Sequence, residues 1–248
     1  MTLEQFFAEN PKVALGFSGG VDSSYLLYAA KQAGADVKAY YIKSAFQPEF
    51  ELADARRLAQ DVGADITVLE ADVFANAEAL KNGPDRCYHC KQALFSMLQA
   101  KAIADGYPVL MDGTNASDDA GDRPGMRVLE ALGVRSPLRE CGITKAEVRR
   151  LSKEAGLFTW DKPAYACLAT RVPTGTPITA DALAKIERAE NALFQMGFTD
   201  FRARMLNGAA RLQFPPGQLE RALELREEIL RRLAPDFTAV LLDLHPRM

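Results

Sequence analysis

The stretch from Val13 to Ser24 constrains this chain more than any other. Val13-Ala-Leu-Gly-Phe17 is an apolar run of strand length, and Ser18-Gly-Gly-Val-Asp-Ser23-Ser24 follows as a turn with two adjacent glycines. The next residues repeat with helical spacing, placing Val21, Leu26, Leu27 and Ala30 on one face. A strand that ends in a glycine turn opening a helix leaves backbone N–H groups free at the helix N-terminus. Together with the helix dipole they suit a phosphate. Gly19 and Gly20 let the backbone approach an anion without a Cβ between, and Ser18 and Ser23 add hydroxyl donors. Asp22 is the unexpected member, because a carboxylate beside phosphates repels them unless a cation such as Mg²⁺ lies between.

The Walker string G-x-x-x-x-G-K-S/T is absent. Ser18-Gly-Gly-Val-Asp-Ser23 instead resembles the pyrophosphate loop (PP-loop) of the ATP pyrophosphatases, which include GMP synthetase, NAD synthetase, argininosuccinate synthetase and the tRNA thiolases. The resemblance implies that ATP is cleaved between its α and β phosphates and that a substrate is adenylated.

Further strands are expected at Asp36–Ile42, Ile66–Leu69 and Pro108–Met111. They alternate with helices over 47–62 and 88–104. This alternation predicts an α/β fold with a doubly wound parallel sheet, whose ligands sit at the carboxyl ends of the strands. The fourth strand runs into Asp112-Gly-Thr-Asn115-Ala-Ser-Asp118-Asp119, a polar loop expected on the same edge as the glycine turn. It resembles the D-G-T-N segment of the pyrophosphatases. Asp112, Gly113, Thr114 and Asn115 therefore join Ser18, Gly19, Gly20, Val21, Asp22 and Ser23 as candidate nucleotide-binding residues. A helix over 143–154 is expected with Thr144 as its N-cap.

Residues 161–177 carry three prolines and read as a linker. Beyond it a helix over 179–196, a hairpin turning at Asn207-Gly208, one helix over 216–233 and a strand over 237–244 form a small α+β domain. The expected division is 1–172 for the PP-loop domain and 173–248 for a C-terminal sulfur-transfer and oligomerisation domain. The latter is small enough to lean on a neighbour or another subunit, so a homo-oligomer is expected.

Net charge over the 248 residues is −3, which argues against a large nucleic-acid surface. The N-terminus lacks a signal-peptide pattern and no apolar run approaches a membrane span, so a cytoplasmic enzyme is expected.

Arg86-Cys87-Tyr-His-Cys90-Lys91 opens a helix with two thiols two residues apart. That spacing suits a shared metal or a redox pair. A zinc site would need two more ligands, drawn from Cys141, Cys167, His89 and His245. Three thiolates would instead hold a 4Fe–4S cluster with one open iron. Cys167 lies in Pro163-Ala-Tyr-Ala-Cys167-Leu-Ala-Thr-Arg171-Val-Pro173, a segment able to present a side chain to a cleft. Arg171 would lower its thiol pKa if close in space. Cys141 reads as structural. Arg202 and Arg204 alternate on one hairpin strand and share a face, with Arg211 on the partner strand. Arginine forks of this kind suit a phosphate.

Taken in order, the PP-loop, R-C-Y-x-C-K, D-G-T-N and A-C-L-A-T-R-V-P resemble the LarE family over nearly the whole chain. That family implies adenylation of a carboxylate of pyridinium-3,5-biscarboxylic acid mononucleotide, then replacement of oxygen by sulfur. It serves biosynthesis of the nickel-pincer nucleotide cofactor. ATP and Mg²⁺ are implied, and a sulfide or other sulfur donor is a further partner. One family type sacrifices a single cysteine, matched here by Cys167. A second type holds an oxygen-labile 4Fe–4S cluster on three cysteines, matched by Cys87, Cys90 and Cys167, and this sequence resembles the second. The resemblance also places Arg202, Arg204 and Glu190 at the substrate site. Cys167, Asp22, Arg202, Arg204 and Glu190 are thus the expected catalytic residues. The rivals are a tRNA thiolase of the same superfamily and a nucleotide- and metal-binding sensor without catalysis.

Overall fold

A computed structural model describes residues 1–118 and 124–247. Asp119, at the end of the D-G-T-N loop, lies outside the described residues. The chain groups into two compact units: 1–76 with 87–162, and 77–86 with 163–248. Residues 163–172, assigned to the first domain from sequence, thus group with the second unit.

In the first unit the order is α1 (Leu3–Glu9), β1 (Lys12–Gly16), α2 (Val21–Gln32), β2 (Asp36–Lys43), α3 (Glu49–Asp61) and β3 (Asp65–Glu70). The short α4 (Ala77–Leu80) belongs to the second unit. There follow α5 (Arg86–Ala104), β4 (Val109–Met111), α6 (Pro124–Ala131), α7 (Pro137–Glu140) and α8 (Lys145–Glu154). The strands form one parallel sheet in the order β3-β2-β1-β4. Side chains alternate across it. Val13, Leu15, Val37, Ala39 and Tyr41 pack with Phe6, Leu26, Leu27, Leu52, Leu58 and Val148 from α1, α2, α3 and α8. Ala14, Tyr40 and Leu110 pack with Leu98, Ala102 and Leu129 from α5 and α6. Both faces are therefore covered, as a doubly wound parallel sheet requires. The expected Thr144 cap is present as a full capping box with Glu147.

The strand order places β1 between β2 and β4. Chain connections leave β1 in opposite directions on its two sides, so the loops after β1 and β4 part at their carboxyl ends. That is where an open α/β sheet forms its crevice.

The second unit continues with α9 (Ala180–Gln195), β5 (Arg202–Leu206), β6 (Ala209–Gln213), α10 (Leu219–Glu224), α11 (Arg226–Leu233) and β7 (Val240–Leu242). β5 and β6 pair antiparallel around Asn207-Gly208, both in the left-handed region that a type I′ turn needs, and β7 joins β6 in parallel. Leu193, Phe198, Phe201, Leu212, Phe214, Ile229 and Leu233 form its core.

Two expectations change. The single helix over 216–233 is a 3₁₀ turn at Pro216–Gln218, then α10 and α11, joined at Leu225 with ψ 12°. Nothing in the residue types marks that break, which leaves Ala222 and Ile229 facing one core. The last strand is shorter than 237–244. Phe237 is drawn into the core, and the Asp243 carboxylate accepts from Gln213 and from the His245 N–H, turning the chain away from the ladder.

Candidate active site

The first unit holds a cleft of about 220 Å³ at the β1–β4 switch. Ser18, Asp22 and Ser23 line one side, Asp112, Gly113, Thr114 and Asp118 the other. The two loops touch backbone to backbone. A Cβ on Gly113 would stand 2.8 Å from the Ser23 nitrogen. Gly19 has φ +70° and lies against Ala55, so both its conformation and its space call for glycine. A second, apolar pocket of about 170 Å³ is lined by Phe17, Tyr40, Tyr41, Ile42, Leu94 and Leu98 and shares Gly16, Ser18 and Phe95 with the cleft. Sequence reasoning did not locate it, because its walls come from β1, β2 and α5.

The PP-loop hydroxyls are turned inward. Ser18 and Ser23 Oγ are 3.1 Å apart, and Ser23 Oγ donates to the Gly20 carbonyl at 3.2 Å. In the second loop the Asp112 carboxylate accepts from the Thr114 N–H and hydroxyl and from the Ser136 hydroxyl at 2.7 Å. These residues shape the cleft. Asn115 reaches across it: its Nδ2 donates to Asp22 Oδ1 at 3.2 Å. The Lys145 ammonium pairs with Asp22 Oδ2. Lys162 donates to the Gly19 carbonyl at 3.3 Å and pairs with Asp54 at 2.7 Å.

Sequence reasoning missed both lysines. Lys145 carried a signal, since a cation in the first turn of a helix opposes the dipole and needs another reason to be there. Lys162 carried none. The Asp22 carboxylate already holds a cation, Lys145, so its chemistry fits a Mg²⁺ ligand.

In the second unit Cys167 lies in a segment gripped by arginines. Arg202 donates to the Ala164 carbonyl at 2.5 Å and Arg171 to Ala166 at 2.7 Å and Cys167 at 3.4 Å. Arg86 donates to Ala169 at 3.0 Å and Arg204 to Thr170 at 2.6 Å. Arg171 is fully buried and faces Glu190 through Nε at 2.8 Å and Nη2 at 3.2 Å. Glu190 also accepts from the Tyr165 hydroxyl and from the Ala203 N–H at 3.0 Å. The Tyr165 ring stacks on Arg171 at 4.4 Å and on Arg202 at 5.1 Å.

Arg171 therefore lies near Cys167, as the spacing suggested, but its donors go to the loop backbone and to Glu190. Glu190 is 1% exposed and spans α9, β5 and the cysteine segment, so it is committed to holding them together. Arg202 and Arg204 share a face, as expected. Burial, then the charges of Arg171 and Arg247, lowers the Arg202 pKa to about 10. Burial, then Arg171, Arg211 and Arg247, lowers that of Arg204. Positive charge gathered in this way favours an anion.

Cys87 is exposed, and Cys90, Cys141 and Cys167 are half-buried. Burial raises the Cys141 thiol pKa. Among the described residues no group of three or more Cys, His, Asp or Glu side chains is gathered for a metal.

The asparagine synthase family profile matches residues 5–118, which span the PP-loop and the D-G-T-N loop. Pyridinium-3,5-bisthiocarboxylic acid mononucleotide synthase of Lactiplantibacillus plantarum is 32% identical over 98% of this chain and 89% of its own. The chain belongs to the LarE family. An uncharacterized Synechocystis protein is 38% identical over 90% of this chain and 83% of its own. A tRNA-specific 2-thiouridylase of Thermotoga shares 27% identity over 61% of this chain and 54% of its own. The LarE match thus takes in the second unit along with the PP-loop unit. No helix among the described residues is long and apolar enough to cross a membrane.

Proposed function

We propose that this LarE-family protein is an ATP-dependent sulfur transferase. It adenylates a carboxylate of pyridinium-3,5-biscarboxylic acid mononucleotide, releasing pyrophosphate, and then replaces a carboxylate oxygen with sulfur, releasing AMP. The observation that carries this reading is the cysteine segment held by Arg171, Arg202 and Arg204 in a chain that also builds a PP-loop cleft. Adenylation alone needs the cleft. A cysteine set among phosphate-type arginines adds a place for sulfur delivery to an anionic mononucleotide.

In this scheme the apolar pocket takes the adenine and the cleft takes the phosphates. Asp22 would hold Mg²⁺, which when bound neutralises charge on the leaving pyrophosphate. Lys145, released from Asp22, and Lys162 contribute fixed positive charge beside the phosphates. Arg202 and Arg204 bind the substrate phosphate. The substrate carboxylate attacks the α-phosphorus with pyrophosphate leaving; a sulfide delivered at Cys167 then attacks the acyl carbon, and AMP leaves with the carboxylate oxygen. A 4Fe–4S cluster on Cys87, Cys90 and Cys167 is proposed on the chemistry of three thiols alone. A sulfide donor, a homo-oligomer and a cytoplasmic setting complete the proposal. An exposed apolar groove lined by Leu223, Leu230 and Leu242 supports the oligomer.

The test is direct. Purified protein, Mg²⁺-ATP and the dicarboxylate mononucleotide should yield pyrophosphate, AMP and a thiocarboxylate product seen by mass spectrometry. ATP binding without substrate-dependent pyrophosphate release would sink the reading and favour the sensor. The likeness to thiouridylases favours a second reading, on tRNA. A salt-sensitive tRNA gel shift together with tRNA-dependent pyrophosphate release would select it.

A further inference from the structure

The arginine of the R-C-Y-x-C-K motif has a role separate from its cysteines. Arg86 Nη1 donates to the Ala169 carbonyl at 3.0 Å and to Asn82 Oδ1 at 2.6 Å. Asn82 is completely buried and adopts φ 56°, a left-handed conformation uncommon outside glycine. Its Nδ2 lies within donating distance of the Val172, Pro173 and Thr176 carbonyls at 3.3, 2.8 and 3.0 Å. Its own carbonyl accepts from the Gly175 N–H at 2.8 Å. One amide thus organises the chain immediately after the cysteine segment, and Arg86 extends that hold to within two residues of Cys167. A non-glycine residue kept in a sparsely populated conformation and saturated with hydrogen bonds points to a geometry that surrounding contacts impose.

We propose that Arg86 and Asn82 are a positioning pair that fixes the Cys167 segment for sulfur delivery. The inference rests on Cys167 standing where sulfur is delivered. Arg171 and Arg204 hold the Cys167 and Thr170 carbonyls from within the site. Arg86 and Asn82 hold the far end of the same segment from a short stretch distant in sequence. An arginine suits this task because one planar fork bridges an amide oxygen and a backbone carbonyl at once. Loss of either partner leaves buried carbonyls without donors and lets the segment open locally.

The experiment uses the reduced full-length protein under anaerobic conditions, with iodoacetamide as probe and peptide-resolved mass spectrometry as readout. Arg86→Gln and Asn82→Gly are compared with the parent; the glycine variant keeps the left-handed backbone and removes only the amide. Both should speed Cys167 alkylation at least about tenfold, since each loses at least one hydrogen bond to a charged group, with Cys141 unchanged. In turnover, kcat for sulfur transfer should fall while KM for ATP stays constant, and Arg86→Lys should restore part of kcat. Cys167 alkylation within about twofold of the parent in both variants, or equal acceleration at Cys141, would overturn the proposal. Sulfur transfer by Cys167→Ala would overturn the reading of Cys167 itself. The labelling rates would still decide whether the pair holds the segment.

Discussion

Lys145 caps the Asp22 carboxylate from the first turn of α8, while Asn115 holds the other carboxylate oxygen. The one acid in the phosphate loop is therefore neutralised by a lysine. Asp22→Asn should keep the fold, because the amide oxygen can still accept from Asn115 and the Lys145 side chain is 34% exposed. It should slow pyrophosphate release on the order of 10²–10³-fold, the loss typical of one preorganised electrostatic group. Parental pyrophosphate release by this variant would exclude a metal role for Asp22.

Gly113→Ala tests the backbone contact between the two loops. Its Cβ would meet the Ser23 nitrogen at 2.8 Å, where the opposing atom is backbone and cannot rotate away. A strain of about 1–3 kcal/mol is expected. It should appear as weaker ATP binding in calorimetry, with a nearly unchanged far-ultraviolet circular dichroism spectrum.

Glu190→Gln should be costly to the fold. It leaves Arg171, with a side chain 0% exposed, as a buried charge without its counter-ion. A loss of about 3–5 kcal/mol in denaturant unfolding is expected. A loss below about 1 kcal/mol, the range of surface pairs, would show that the pair is not a structural anchor.

Arg204→Ala should weaken binding of the phosphate-bearing substrate by about 1.5–3 kcal/mol and leave ATP affinity unchanged. Calorimetry with each ligand separates the two. Equal losses for both would place Arg204 with the nucleotide instead.

Cys167→Ala should abolish sulfur transfer while ATP binding survives. Anaerobically purified parent protein should contain iron and acid-labile sulfide, and Cys87→Ala, Cys90→Ala and Cys167→Ala should each lose them. Parent protein without iron, whose Cys167 loses the mass of H₂S after one turnover, would establish the sacrificial route.

The first sheet was legible because its strands and helices carry strong local periods. Val13 to Ala30 shows the apolar strand, the glycine turn and the helix in one run, and the Thr144 cap and the Asn207-Gly208 turn are likewise encoded by neighbours in sequence. The break at Leu225 was not legible, since no residue type there prefers ψ near zero. Cys167, Arg202 and Arg204 were named from motif and spacing and Glu190 from the family resemblance, but not Tyr165, Asn82, Arg86 as a clamp, or Lys162.

The sequence by itself determined the parallel α/β unit, the PP-loop, the small α+β unit and the LarE family. Those depend on short-range pattern and on motif order along the chain. Only the tertiary structure decided that Glu190 is a buried anchor, that Lys145 stands on Asp22, and that Arg86, Arg171, Arg202 and Arg204 grip the cysteine segment. Apart from the Arg171 bonds to Ala166 and Cys167, each is a contact between residues far apart in sequence. Hydrogen bonding and ion pairing act over about 3 Å in space, and no local period records which distant carbonyl a guanidinium will find.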